Sequence, residues 1–245
     1  MYTSILEMDI DDFTSLNLYE TDILFQKPFR LLIFGSSDTG KSHLIQNLIR
    51  LHHNKFHKII LSGVKNQLLY YPETKNKTVY HPDTGNEESI FNPFPVIEEL
   101  QEGNSNNKQI LCIYDDLLEY VFKSAIISKL FSKGRHKNLS VIVVLQSYFP
   151  KYTGINFSTQ IKNNSSIQIF TRSSSMSEVS AIASRLEFGN KNKTFFLSLY
   201  KKLIQSRRYG YLAVLLNVSD ERIKYCSNLL NEDKSGFLTV YSQMR

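Results

Sequence analysis

Residues 29–50 constrain this chain more than any other stretch: Phe-Arg-Leu-Leu-Ile-Phe-Gly-Ser-Ser-Asp-Thr-Gly-Lys-Ser-His-Leu-Ile-Gln-Asn-Leu-Ile-Arg. Leu31 to Phe34 form an apolar run of the length expected for a buried strand. Gly35, Ser36, Ser37, Asp38, Thr39, Gly40, Lys41 and Ser42 follow as a polar loop. Leu44, Ile45, Leu48 and Ile49 then recur at helical spacing. Strand, loop and helix in that order give G-x-x-x-x-G-K-[ST] the context of a P-loop. Gly35 and Gly40 permit backbone angles that turn the loop N–H groups toward phosphate oxygens. The helix adds the positive end of its dipole at the same point. Lys41 is placed to reach the β- and γ-phosphates and the Ser42 hydroxyl to complete a magnesium shell. The motif implies binding of a nucleoside triphosphate.

A second signal lies downstream. Gln109 to Tyr114 is an apolar strand that ends in Asp115-Asp116. A strand delivering acids at its carboxyl end supplies the other half of a P-loop site. Asp115 is expected to hold magnesium through water, and Asp116 to orient the attacking water. Val141 to Leu145 reads as a further buried strand with Gln146 at its carboxyl end, where an amide faces the γ-phosphate. Strands are also expected at Phe56–Ser62, Thr78–His81, Ile167–Thr171 and Tyr211–Asn217. Helices are expected at Val96–Gln101, Leu117–Ser132, Ser177–Leu186 and Thr194–Gln205. Their alternation predicts an α/β fold, a doubly wound and mostly parallel sheet flanked by helices.

Charge divides the 245 residues unevenly. Net charge is +6, yet residues 1–26 hold six carboxylates and no Lys or Arg, so that segment carries −6 and the remainder +12. We expect an acidic arm or short helix over 1–26, outside a nucleotide-binding domain over 27–245, with a short tail after the last strand. A basic body suits a polyanionic partner, nucleic acid first. Apolar runs are too short to span a bilayer. Acids stand where a signal peptide needs positive charge. Two cysteines fit neither a disulfide framework nor a zinc site, so a reducing, intracellular setting is expected.

The Asp115-Asp116 strand, the turn Gly134-Arg135-His136-Lys137-Asn138, and the strand ending in Gln146-Ser147 together resemble the FtsK/HerA superfamily. Within it the chain is most similar to genome-packaging ATPases of poxviruses, other large DNA viruses, virophages and Polinton-type elements. The likeness covers about residues 27–220 and includes Tyr209-Gly210-Tyr211-Leu212 before the late strand. It implies a RecA/FtsK-like fold, ATP and Mg2+ as cofactors, and ATP-driven translocation of double-stranded DNA into capsids. By resemblance, Lys41 and Ser42 bind nucleotide and metal, Asp115 is the metal carboxylate, and Asp116 is the catalytic acid. Gln146 is then the γ-phosphate sensor, and Arg135 a finger reaching a neighbouring subunit's site. The implied partners are sequence-independent double-stranded DNA, further copies in a pentameric or hexameric ring, and capsid or portal-vertex proteins. The implied setting is host cytoplasm or viral factory, with virion association. The chain departs at Asp116, where the wider superfamily has Glu; the viral packaging members share an Asp-Asp pair. No motif assigns Lys133, Lys137, Lys201, Lys202, Arg207 or Arg208 to DNA.

Two other readings remain open from sequence. A nucleoside or nucleotide kinase needs a lid bearing arginines, and residues 64–100 contain none. A non-hydrolysing assembly subunit is disfavoured by the intact acid pair.

Overall fold

The computed structural model describes residues 13–20, 24–63, 71–72, 77–80, 90–149, 156–186, 190–216, 223–230 and 237–243. The strands are β1 (Phe13–Glu20), β2 (Arg30–Phe34), β3 (Phe56–Gly63), β4 (Lys77–Tyr80), β5 (Gln109–Asp115), β6 (Leu139–Leu145), β7 (Ile167–Phe170), β8 (Leu212–Leu215), β9 (Tyr225–Ser227) and β10 (Phe237–Gln243). The helices are α1 (Lys41–His52), α2 (Ile97–Gln101), α3 (Leu118–Val121), α4 (Ala125–Lys133), α5 (Ser158–Asn163), α6 (Met176–Leu186) and α7 (Asn190–Ser206). All ten strands form one sheet in the order β1-β10-β9-β8-β7-β2-β6-β5-β3-β4. The six strands from β7 to β4 pair in parallel, and β8, β9, β10 and β1 extend the sheet antiparallel.

The parallel strands are apolar without alternation because both of their faces are covered. Leu31 and Ile33 of β2, Leu111 and Ile113 of β5, and Ile142 and Val144 of β6 pack with Leu44, Ile45, Leu48 and Ile49 of α1. The intervening Leu32, Phe34, Cys112, Tyr114, Val141 and Val143 face the opposite layer, to which α2 through α7 contribute. The wrapping is lopsided: among the described residues, one helix covers the first face and six cover the second. Cys112 is a buried free thiol in that second layer.

Three features differ from the sequence expectation. Phe13–Glu20 is neither arm nor helix but an edge strand paired with β10; residues 1–12 lie outside the described residues. The expected tail contributes β9 and β10. The helix expected over 117–132 is two helices, α3 and α4, separated at Phe122–Ser124. There the Ser124 hydroxyl accepts from the Ile127 N–H at 3.3 Å and caps α4.

The central strand β6 is buried along its whole length. Ile142→Ala should therefore cost about 3 kcal/mol through lost contacts and a residual cavity. A urea-unfolding midpoint lowered without change of slope is the expected result.

Candidate functional site

The P-loop spans the gap between the carboxyl ends of β2, β6 and β7. The Gly35 N–H donates to the Leu145 carbonyl at 3.3 Å, and the Ser36 N–H to the Arg172 carbonyl at 2.9 Å. Thr171 continues the anchor: its N–H donates to the Phe34 carbonyl, and its hydroxyl lies 2.6 Å from that of Thr39. Glycine is required at both ends of the loop. A Cβ on Gly35 would sit 1.9 Å from Thr171 Oγ1, and one on Gly40, at φ 91°, would sit 2.8 Å from the Tyr209 ring. Gly40 also caps α1 without any side-chain hydrogen bond, and no acid occupies the first turn. The unpaired N–H groups of that turn are thereby left for an anion.

Lys41 bends back over the loop, its ammonium donating to the carbonyls of Gly35 at 2.8 Å and Ser36 at 2.6 Å. Burial lowers its pKa, while Asp115, Asp116 and Asp38 oppose that shift. Asp115 is itself buried at the end of β5. Burial raises its pKa above the usual carboxylate value, the Tyr71 hydrogen bond lowers it, and the nearby Asp116 charge raises it again. Asp116 adopts φ 56°, a left-handed conformation that a short polar side chain tolerates. That turn aims its carboxylate at β6, where the Gln146 amide donates to Asp116 Oδ1 at 2.6 Å. The two residues named independently from sequence as water-orienting acid and sensor are thus in direct contact.

Arg135 stands apart. It lies in the 3-10 turn Gly134–Lys137 at the amino end of β6, solvent-exposed, with its Nε 3.4 Å from His136 Nε2. Its charge acts on Arg30 at the start of β2. Seven residues of extended chain, roughly 23 Å, separate it from Gln146. Within one chain it does not join the P-loop and acid pair.

Sequence reasoning missed several residues of the site. Tyr71 donates from its hydroxyl to Asp115 Oδ2 at 2.5 Å; no motif surrounds it. Glu178, near the start of α6, accepts from the Ser147 hydroxyl at 3.0 Å and the Tyr148 N–H at 2.8 Å through one oxygen. Its other oxygen accepts from Ser173 at 2.9 Å. It therefore ties the segment after Gln146 to the segment after Thr171. Lys162, buried on α5, donates to the Tyr148 carbonyl and lies 4.1 Å from the centre of the Tyr148 ring. Two cavities lie nearby, one against the loop and one against α1. One of about 310 Å³ is lined by Ser36 to Thr39, Arg172 and Arg208. The other, about 520 Å³, is lined by His43, Asn47, Lys202, Arg207 and Tyr209 among others. Each is large enough for part of a nucleotide.

Ser42 and Asp115 supply a hydroxyl and a carboxylate beside the same phenol, the oxygen donors that magnesium prefers. They fit an Mg2+ ion, which would neutralise charge on bound phosphates. This strand order, loop and acid pair define a P-loop NTPase with a mostly parallel sheet.

The comparisons narrow the class. The sequence profile of the poxvirus A32 protein family matches residues 17–235, and the chain belongs to this family of genome-packaging ATPases. No curated protein sequence matches the chain. Among solved structures it is similar to the genome packaging NTPase B204 from Sulfolobus turreted icosahedral virus 2. In complex with ATP-gammaS that structure is 15% identical, with TM-score 0.53, covering 89% of this chain and 98% of the other. In complex with AMPPCP it is 14% identical, with TM-score 0.54 and the same coverage. At these identities the likeness concerns the fold. No helix among the described residues is long and apolar enough to cross a membrane.

Lys162 generates a pH signature. Burial, and secondarily Arg185, lowers its pKa from 10.5 to about 7, with Glu178 opposing. Between those values the unfolded chain binds a proton that the fold has released, so stability rises with pH through this window. Below it both states are charged and the cost of burying the ammonium is fully present. The urea midpoint should increase from pH 6.5 to pH 9, and Lys162→Met should reduce that increase.

Proposed function

We propose that this chain is a double-stranded DNA translocase that hydrolyses ATP between subunits of a ring and drives a genome into a capsid. The observation that carries the reading is the division of β6: Gln146 touches Asp116 at one end, and Arg135 is exposed at the other. A subunit built this way offers a nucleotide site at the carboxyl end of its central strands and an exposed guanidinium at the amino end. Identical subunits in a closed ring can then complete one another's sites.

In this reading the loop N–H groups and Lys41 bind the β- and γ-phosphates. Ser42 and Asp115 hold the metal. Asp116, fixed by Gln146, orients a water for in-line attack on the γ-phosphorus. Loss of the γ-phosphate removes an acceptor from Gln146, and Glu178 carries that change to Tyr148 and the end of β7. Arg135 of the next subunit neutralises charge developing on the transferred group. Basic side chains engage DNA phosphates, so binding is independent of sequence and weakens steeply with salt. The capsid or portal vertex is the docking partner, and the host cytoplasm or viral factory the setting.

The test is ATPase rate per subunit, titrated with protein and then with duplex DNA. The rate should rise in both titrations and fall about 10³-fold or more in Arg135→Ala while ATP still binds. Mixing Arg135→Ala with Lys41→Ala should restore part of the activity, because each variant supplies what the other lacks. No recovery on mixing, with a rate flat in both titrations, overturns the motor. Separately, Asp116→Asn should lower kcat about 10²-fold or more with little change in nucleotide affinity.

A further inference from the structure

Tyr71 is a residue that neither the P-loop nor the acid pair predicts, yet it lies between them. Its side chain is only 3% exposed and packs in the core layer shared with α1. Its hydroxyl donates to Asp115 Oδ2 at 2.5 Å. Burial and the Asp115 charge raise the pKa of that phenol, and Ser42, the second residue of α1, lies near enough to lower it. One phenol oxygen therefore faces both residues suited to hold magnesium.

A serine hydroxyl that coordinates a cation gives the ion an oxygen lone pair and must direct its proton elsewhere. A carboxylate that receives a metal-bound water must keep one oxygen facing that water. We propose that Tyr71 is the positioning residue for both. Its oxygen accepts a hydrogen bond from the Ser42 hydroxyl, its own hydroxyl donates to Asp115 Oδ2, and Asp115 Oδ1 is left to face a metal-bound water. The phenol also supplies a donor to a carboxylate buried beside Asp116, where two like charges lie close together. Tyr71 belongs to the connection between β3 and β4, so this arrangement ties that connection to the nucleotide site. The proposal rests on the ATPase reading and names how its metal is selected and oriented. Partners of this kind, one bond removed from the metal, typically affect affinity about 10–100-fold.

Tyr71→Phe in the full-length chain tests it, because the ring stays and only the hydroxyl is lost. The probe is a fluorescent ATP analogue, bound first in EDTA and then titrated with magnesium. Analogue binding in EDTA should stay within about twofold of wild type, while the magnesium concentration for half-maximal response rises about 10–100-fold. Hydrolysis should follow the same shift and recover at saturating magnesium, giving a metal-dependent rather than a general defect. In the Ser42→Ala background the same substitution should cost much less, as expected for residues acting through one another. A magnesium response unchanged in Tyr71→Phe, or an equal cost in both backgrounds, overturns the proposal and leaves the ATPase reading standing. A wild-type chain whose analogue binding ignores magnesium overturns both. Should the stranded Asp115 charge unfold the single variant, the substitution is made in Asp115→Asn, where no charge is left unpaired. Loss of the Ser42 acceptor there should still lower magnesium affinity about threefold or more, and no change overturns the proposal.

Discussion

The site depends on the register of four parallel strands. Asp115 of β5 lies opposite Val144 of β6, Leu145 of β6 opposite Phe34 of β2, and Phe34 opposite Phe170 of β7. Asp116 follows Asp115, and Gln146, Gly35 and Thr171 follow the other three strand ends, so the chain leaves the sheet within one residue of the same level in four adjacent places. Each step between strands is about 4.8 Å, which sets the acid pair and the loop about two strand widths apart with Gln146 between them. A slip of one residue in β6 would turn Gln146 to the other face and remove the Leu145 carbonyl from Gly35. The apolar side chains on both faces of β6 make such a slip costly, since every one of them would change layers. Packing of the core and geometry of the site are therefore the same constraint.

Within that frame the charges are held in tension. Asp115, Asp116 and Asp38 all act on Lys41, Asp116 and Lys41 act on Asp115, and burial works against the ionised form of both Lys41 and Asp115. The ammonium of Lys41 satisfies itself on the carbonyls of its own loop. Those neutral acceptors are weaker partners than a phosphate oxygen. The first turn of α1 likewise has N–H groups without a capping side chain. Both features favour a polyanion at this place over any internal partner.

The parts legible in the sequence were those whose signal is local. The glycine spacing of the loop, the apolar runs of β2, β3, β5, β6, β7 and β8, and the acids closing β5 each reflect a requirement of a few consecutive residues. Asp116 and Gln146 were each placed at a strand end, and the structure adds the contact between them. What escaped was non-local or carried a weaker pattern. β1 and β10 pair with each other across the length of the chain, and the acidic residues around β1 suggested an arm. The break between α3 and α4 sits in a stretch whose apolar spacing runs on unbroken, and only Ser124 marks it. Tyr71 reaches Asp115 across 44 positions, Ser147 reaches Glu178 across 31, and an isolated Tyr or Glu looks the same wherever it points.

The amino end of the sheet repeats the electrostatic argument with the sign reversed. Arg30 opens β2, half-buried, with its Nε lacking a hydrogen-bond partner among the described residues and one Nη donating to the Phe131 carbonyl at 3.2 Å. Burial lowers its pKa, and Arg135 lowers it further. Two guanidinium groups held within mutual influence, one of them short of a partner, are a cost that the isolated subunit bears. A carboxylate from the same chain would relieve it, yet Arg30 has an uncharged carbonyl as its partner. In the proposed ring this edge faces the next subunit's loop, and the triphosphate bound there supplies the missing negative charge. The carboxyl end of the sheet favours an anion through unpaired N–H groups, and the amino end through unrelieved cations. In the proposed ring, one nucleotide between two subunits would answer both.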